Sequence, residues 1–542
     1  MERILLVEPD YNNKYPPIGL MKIATYHKEK GDYVEFYKGK APFQLISRMD
    51  RVYITSIFTF FFDITVDTIL HYINYIDKSN VYIGGIAVTL MEDAFKKKTG
   101  VENILTGQLV DSAKLGYEDH VNIDVLPLDY DILDDIEYDY GVTDNFFAYT
   151  TRGCPRKCKF CAVKTLEPNF EETNNLINQI TYVRKNFGDK RNLMLMDNNI
   201  FYSGKLEEIC SDLVNLGFVK GHPTYIPENP ATLFYKKIER RIKDGYSTWI
   251  IVDRFIIFFE KFINRIQNVN VKSEVDSILG EIMQSDEQLQ MLMKHKERII
   301  EIVEKYRTKK VLQRYVDFNQ GLDARLITDD KMKILSQLPL RPFRLAYDNI
   351  AMTDTYAKAF RIAYKWGVRY FSNYMLYNFE DTPDDLWQRV YTNIKLYNEF
   401  DDIQAFSFPM KYAPIDMTDR LYVGVHWNKK YLSAMNVVLN VTKGVIAKEE
   451  DFFLRAYGNS PEEFCEILSM PNEFIKFRDF FEKCGLIGAW KNCFRNLNIT
   501  EKEALLQKIS GEENDFENSI LEYYTITKRQ VETHKIRVED YV

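Results

Sequence analysis

Short apolar runs punctuate the first 125 residues: RILLVEP at 3–9, DYVEFYK at 32–38, RVYITSI at 51–57 and NVYIGGIAV at 80–88. Between them the apolar positions fall three and four apart, as in IGLMKIATYHKEKG at 18–31 and in the segment from Phe62 to Ile76. Continuous apolar runs suit strands covered on both faces, and the wider period suits helices that cover them. Their alternation predicts an α/β unit with a parallel sheet over residues 1–125, followed by a linker at 126–145.

The same alternation resumes at Phe146 and extends to 414. Strands are expected at Phe146–Thr151, in NLMLMDNN at 192–199, in VDFNQGLDARLI from Val316 to Ile327, and in RPFRLAYDN ending at Tyr347 and Asp348. Two more are YFSNYMLY at 370–377 and DIQAFSFPM at 402–410, where Phe406 and Phe408 alternate as core aromatics or flank a bound ring. Helices are expected from Glu172 to Phe187, from Lys205 to Leu216, and after NFEDTPDDL, with Asp381 or Thr382 as cap and Pro383 in the first turn. About ninety residues, 222–312, carry amphipathic helical patterns and read as an insertion that covers a barrel, binds a partner or makes a dimer. From 415 to 542 the pattern is helical and mixed in charge.

A chain of 542 residues with 46% hydrophobic and 28% charged residues is an ordinary folded protein of several domains. Its net charge of -8 disfavours a broad nucleic-acid surface. The longest apolar runs, TSIFTFFFDITV and TWIIVDRFIIFFEKFI, are broken by charges before the roughly 20 residues of a membrane helix. The N-terminus has no signal-peptide pattern, so a cytoplasmic protein without a membrane partner is expected. Seven cysteines in a reducing compartment are not a disulfide framework, and three of them crowd into TTRGCPRKCKFCAVKT at 150–165.

Cys154, Cys158 and Cys161 are spaced C-x3-C-x2-C. A structural zinc site closes with four ligands, and no second Cys or His pair lies nearby. Three thiolates on one loop suit three irons of a [4Fe-4S] cube with the fourth left open. With Phe160 before the last cysteine and Arg152-Gly153-Cys154-Pro155 before the second, the loop resembles the signature of radical S-adenosylmethionine (SAM) enzymes. The resemblance implies that Cys154, Cys158 and Cys161 bind the cluster, that SAM chelates the open iron, and that its reductive cleavage gives a 5'-deoxyadenosyl radical that abstracts hydrogen from a substrate. It also implies a partial (β/α)6, TIM-like barrel over 146–414, interrupted by the helical insertion. The segment MDNN stands where the family often has Gly-Gly-Glu against the SAM amino group, which makes Asp197 and Asn198 candidates. Polar residues at later strand ends, Asn319, Gln320, Arg325 and Asp348, are further cofactor-binding candidates, with an ion pair of Asp323 and Arg325 to neighbouring helices as the alternative.

Residues 1–125 resemble the cobalamin-binding domain that precedes the barrel in one large radical SAM group, through the start PPIGLMKIATYHKEKGDYVEFY, the Gly84-Gly85 turn and NILTGQ. The D-x-H-x-x-G loop that places histidine on cobalt is absent, so a Rossmann-like domain without cofactor is expected, with cobalamin as the alternative. Cys210, Cys465, Cys484 and Cys493 are spaced too widely for a second cluster and read as isolated buried thiols. The expected function is hydrogen abstraction from a small-molecule or peptide substrate, with flavodoxin or ferredoxin as reductant. The alternatives are a cobalamin-dependent radical methyltransferase and a non-catalytic iron-sulfur protein.

Overall fold

The computed structural model describes residues 1–173 and 175–542; Asn174, which the expected helix Glu172–Phe187 includes, lies outside the described residues. The chain forms two compact units, one of 1–319 with 334–340 and the other of 320–333 with 341–542.

The first unit opens with strands β1 (Arg3–Glu8), β2 (Tyr33–Lys38), β3 (Arg51–Thr55), β4 (Val81–Gly84) and β5 (Asn103–Leu105), all parallel in the order β2-β1-β3-β4-β5. Ile4, Leu5, Leu6 and Val7 are fully buried, as expected of a central strand covered on both faces. Helix Phe62–Ile73 lays Phe62, Ile69 and Tyr72 against Leu5, Val7, Val52 and Ile54, which is why its apolar period is helical. The order reverses between β1 and β3, and the carboxyl edge at such a point is where open sheets hold ligands.

A second sheet of the same unit pairs β6 (Asn145–Ala148), β9 (Asn192–Leu195) and β10 (Val316–Asp317) in parallel, in the order β10-β9-β6. Between β6 and β9 in sequence, β7 (Thr151–Arg152) pairs antiparallel with β8 (Glu171–Glu172), so the expected helix begins only at Leu176 and its first residues form a strand. The expected strand Val316–Ile327 is confined to two residues. Asn319 takes a positive φ of 49°, and Asp323 caps a 3-10 turn at Ala324–Leu326 by accepting from the Arg325 amide, so the backbone turns instead of extending.

The insertion is helical as expected, over Pro230–Lys243, Trp249–Phe262, Val269–Gln284, Gln288–Lys294 and Lys296–Tyr306, around its own core in which Phe234 stacks on Phe255 at 4.0 Å. Its basic residues have partners in the acidic linker: Arg241 with Asp135 at 2.5 Å, Arg240 with Asp131 at 2.5 Å and Lys237 with Asp134 at 2.6 Å. The linker composition DYDILDDIEYDY thereby acquires a structural reason: it is the acidic seat of the inserted helices.

The second unit contains β11 (Phe343–Ala346), β12 (Tyr370–Tyr377) and β13 (Gln404–Lys411) in parallel, with β14 (Ile446–Ala447) antiparallel at the edge. The six expected parallel strands thus occur in sequential order as two sheets, three strands to each. Helix Pro383–Asn398 starts with a full capping box, Thr382 accepting from the Asp385 amide and Asp385 accepting from that of Thr382. Along β13 the alternation opposes the core reading: Ala405 and Ser407 are buried, while Phe406 and Phe408 are half-buried beside Tyr370 and Tyr374. Cys465, Cys484 and Cys493 are half-buried instead of buried, and only Cys210 matches that expectation. The rest of the unit is helical, packed on buried Phe464, Leu468 and Trp490. No helix among the described residues is long and apolar enough to cross a membrane.

Candidate functional site

The cysteine loop leaves the carboxyl end of β6, the position where parallel α/β sheets place their chemistry. Cys154, Cys158 and Cys161 are half-buried and free of disulfides, and Phe160 between the last two is half-buried. A tight turn brings the Cys161 amide to the Cys158 carbonyl at 3.2 Å, and helix Val163–Leu166 follows.

Both ends of the loop are pinned. At the entry, Asp197 is 3% exposed and accepts from the Thr150 amide at 3.0 Å, the Thr150 hydroxyl at 2.8 Å, the Thr151 hydroxyl at 2.7 Å and the Thr151 amide. Burial pushes its carboxyl above the usual carboxylate range, and the four donors from Thr151 and Thr150 oppose that shift. At the turn itself, the Gly153 amide donates to Glu167 at 2.5 Å, and the same carboxylate oxygen accepts from Asn198 Nδ2 at 2.7 Å. Gly153 has φ +70°, and a Cβ there would meet the Asn169 carbonyl oxygen at 1.9 Å. Only glycine lets the segment that returns to β8 cross the loop so closely.

Arg152 is held from three sides: Nη1 pairs with Glu167 at 3.1 Å, Nη2 with Asp124 at 2.9 Å, and the guanidinium lies 4.0 Å from the centre of the Tyr149 ring. Lys22 joins the group through Asp124 at 3.1 Å, and its burial lowers its pKa. Two cations and two carboxylates therefore balance in a buried network, which is the condition under which such charges are tolerated.

The sequence makes Asp197 and Asn198 candidate SAM contacts; in the fold Asp197 accepts from Thr150 and Thr151 and Asn198 donates to Glu167, both at the cysteine loop. It did not single out Asn199, which is 7% exposed and whose Nδ2 lies 3.5 Å from Sγ of Cys154. The run Asp-Asn-Asn at the end of a buried strand was the available signal, since three adjacent polar side chains there need partners. Asn319 lies in the same unit, its Nδ2 3.6 Å from Sδ of Met196 and its Oδ1 accepting from the Tyr15 hydroxyl at 3.3 Å.

Gln320, Arg325 and Asp348 belong to the second unit. Gln320 is exposed on a turn. Arg325 pairs with Asp323 of its own turn through Nε at 2.6 Å and Nη2 at 3.0 Å. Burial raises the Asp348 carboxyl to about 6, against the opposing charges of Arg389 and Arg325. Because the folded value lies above the unfolded one, this group's contribution to stability is present below pH 4 and is lost as pH rises through 6. Relative to Asp348→Asn, the wild type is expected to lose up to about 3 kcal/mol between pH 4 and pH 8, from about two units at 1.36 kcal/mol each. Urea unfolding of both proteins at the two pH values checks this, and a pH-independent difference would remove the perturbed carboxyl from the account.

No family model matches the sequence, and no curated protein matches it. Among solved structures the chain is similar to TsrM, a radical S-adenosylmethionine methyltransferase from Kitasatospora setae. With cobalamin and a [4Fe-4S] cluster bound to TsrM, the TM-score is 0.44 at 12% identity, over 77% of each chain. With tryptophan substrate and the SAM analogue aza-SAM bound to TsrM, it is 0.44 at 11% identity, over 81% of this chain and 77% of that one. A likeness of this degree assigns no residue, cofactor or substrate here.

Proposed function

We propose that this chain is a radical SAM enzyme. The observation that carries the reading is the cysteine loop: three cysteines outside any disulfide in C-x3-C-x2-C spacing, half-buried, on a loop pinned at entry and turn by buried carboxylates. That donor set fits three irons of a [4Fe-4S] cluster and leaves one iron for a small chelating molecule, which four-ligand zinc sites do not. Cys154, Cys158 and Cys161 would hold the cluster, which when bound and reduced would supply the electron for cleavage of the S–C5' bond of SAM. The chain's part is to fix the loop through Asp197, Glu167 and Arg152 and to surround SAM with polar groups, for which Phe160, Asn198 and Asn319 of the same unit are the proposed contacts. The proposed substrate is a small molecule or peptide, and the proposed reductant a flavodoxin or ferredoxin.

The test is anaerobic reconstitution with iron and sulfide, then dithionite and SAM. About four irons per chain are expected in the wild type, with 5'-deoxyadenosine or a SAM-derived methyl-transfer product formed at least 100-fold faster than in Cys158→Ala. Wild-type protein that binds no iron, or a variant as active as the wild type, would overturn the reading.

A second reading, a cobalamin-dependent radical methyltransferase, is favoured by the first sheet. Its order β2-β1-β3-β4-β5 provides a switch point between β1 and β3, and the stacked rings of Phe58 and Phe60, 5.0 Å apart, lie just beyond the carboxyl end of β3 with Phe58 46% exposed. The glycine pair is no part of that support, because a Cβ on Gly85 would meet the chain's own Ser56 carbonyl at 2.5 Å, which explains the glycine by packing alone. The segment 9–17 after β1 has no histidine, so cobalamin held there would lack a histidine ligand from that loop. Cobalamin retained at about one per chain, and S-adenosylhomocysteine formed in turnover, would select this reading over hydrogen abstraction alone.

A further inference from the structure

The three polar residues that follow β9 each reach the cysteine loop by a different route. Asp197 holds the backbone that enters it, Asn198 holds Glu167 beneath the Gly153 amide, and Asn199 alone reaches a sulfur, with Nδ2 3.5 Å from Sγ of Cys154. Asn199 is buried and stands at the N-cap position of the 3-10 turn Ile200–Tyr202, where its side chain makes no capping bond to that turn. An amide N–H has one preferred use beside a thiolate: it donates to the sulfur. Hydrogen bonds to the sulfurs of an iron-sulfur centre stabilise its more negative, reduced state and raise its potential.

Resting on the radical SAM reading, we propose that Asn199 is a positioning residue for the cluster's redox state: its side-chain amide donates to the Cys154 thiolate and favours the reduced cluster. No bond is made or broken in this role, and the electron comes from the external reductant. The segment MDNN then serves the electron-transfer half of the chemistry, in addition to any contact with SAM.

The experiment is an EPR-monitored redox titration, without SAM, of reconstituted full-length wild type, Asn199→Ala and Asn199→Asp. At the wild-type midpoint potential, Asn199→Ala is expected to hold a several-fold lower ratio of reduced to oxidised cluster, and Asn199→Asp a ratio at least tenfold lower, because it removes the donor and adds a negative charge. Tenfold corresponds to about 59 mV for a one-electron couple. Iron content and circular dichroism equal to wild type show that the fold is intact in the variants read. Wild-type midpoints in both variants would overturn the proposal. So would loss of the cluster from both, which would make Asn199 a brace for the loop and nothing more. If the wild type itself takes up no iron, the failure is of the radical SAM reading, and the iron count shows that before any potential is measured.

Discussion

Gly153→Ala is expected to destabilise the first unit by 3 kcal/mol or more, at about the level of a large core truncation, and to empty the cysteine loop of iron. Two costs combine. A left-handed backbone costs a non-glycine residue about 1 kcal/mol. The larger cost is steric: the new Cβ would lie 1.9 Å from the Asn169 carbonyl oxygen, 2.7 Å from its carbon and 2.9 Å from the Glu167 carbonyl oxygen. All three contacts are backbone, so no rotamer relieves them; the segment 167–169 that leads into β8 has to move away. That movement would pull Glu167 off the Gly153 amide and off Arg152, exposing or unpairing a buried guanidinium. Thermal unfolding and iron counting after reconstitution check the result. A variant with wild-type melting and a full cluster would show that the loop tolerates a second path for the chain, and the pinned-loop account would fall with it.

How much of this was legible beforehand depends on whether a residue's partners are near it in sequence. Strands β1 to β4, the helix cap at Thr382 and the helical insertion all follow from local period and local capping chemistry, and the structure reproduces them. The segment Val316–Ile327 misleads because Val316, Phe318 and Leu322 look like strand positions, while Asn319 and Asp323 carry the turn chemistry that wins. Phe406 and Phe408 mislead for another reason. Either face of an alternating strand can be the core face, and here the helix side takes Ala405 and Ser407, small residues that let the helix Pro383–Asn398 approach. The cysteine loop was visible as a motif, but its supports were not. Asp197 meets Thr150 across 47 positions and Arg152 meets Asp124 across 28, and no period or spacing encodes such pairs. The acids of the linker are the same case: Asp131 and Asp135 find Arg240 and Arg241 of the inserted helices across 109 and 106 positions.

Asp197 separates a structural support from a cofactor contact, because its two oxygens differ in what they hold. Oδ1 takes both hydroxyls and both amides of Thr150 and Thr151, whereas Oδ2 takes only a longer bond from the Thr150 amide at 3.2 Å. Asparagine in the same rotamer keeps Oδ1 as acceptor and exchanges the less engaged oxygen for an amide nitrogen. Asp197→Ala leaves four buried donors without an acceptor at a site where Thr150 and Thr151 are fully buried. Each orphaned donor costs about 1–3 kcal/mol before relaxation, so a net loss of about 4 kcal/mol is expected for alanine and about 1–2 kcal/mol for asparagine. Urea unfolding of the two variants reads that difference. Affinity for SAM then reads the other role: if the carboxylate only braces the loop, Asp197→Asn binds SAM within about threefold of wild type, a difference below 1 kcal/mol. If it also meets the SAM amino group, loss of the charge-assisted bond costs about 2 kcal/mol, some thirtyfold in affinity, while the fold stands. The geometry favours the first outcome, since the oxygen that holds the loop is the one with four donors already on it. An Asp197→Asn protein that folds normally yet binds SAM thirtyfold more weakly would restore the carboxylate to the cofactor site and leave the loop to be held by Glu167 and Arg152.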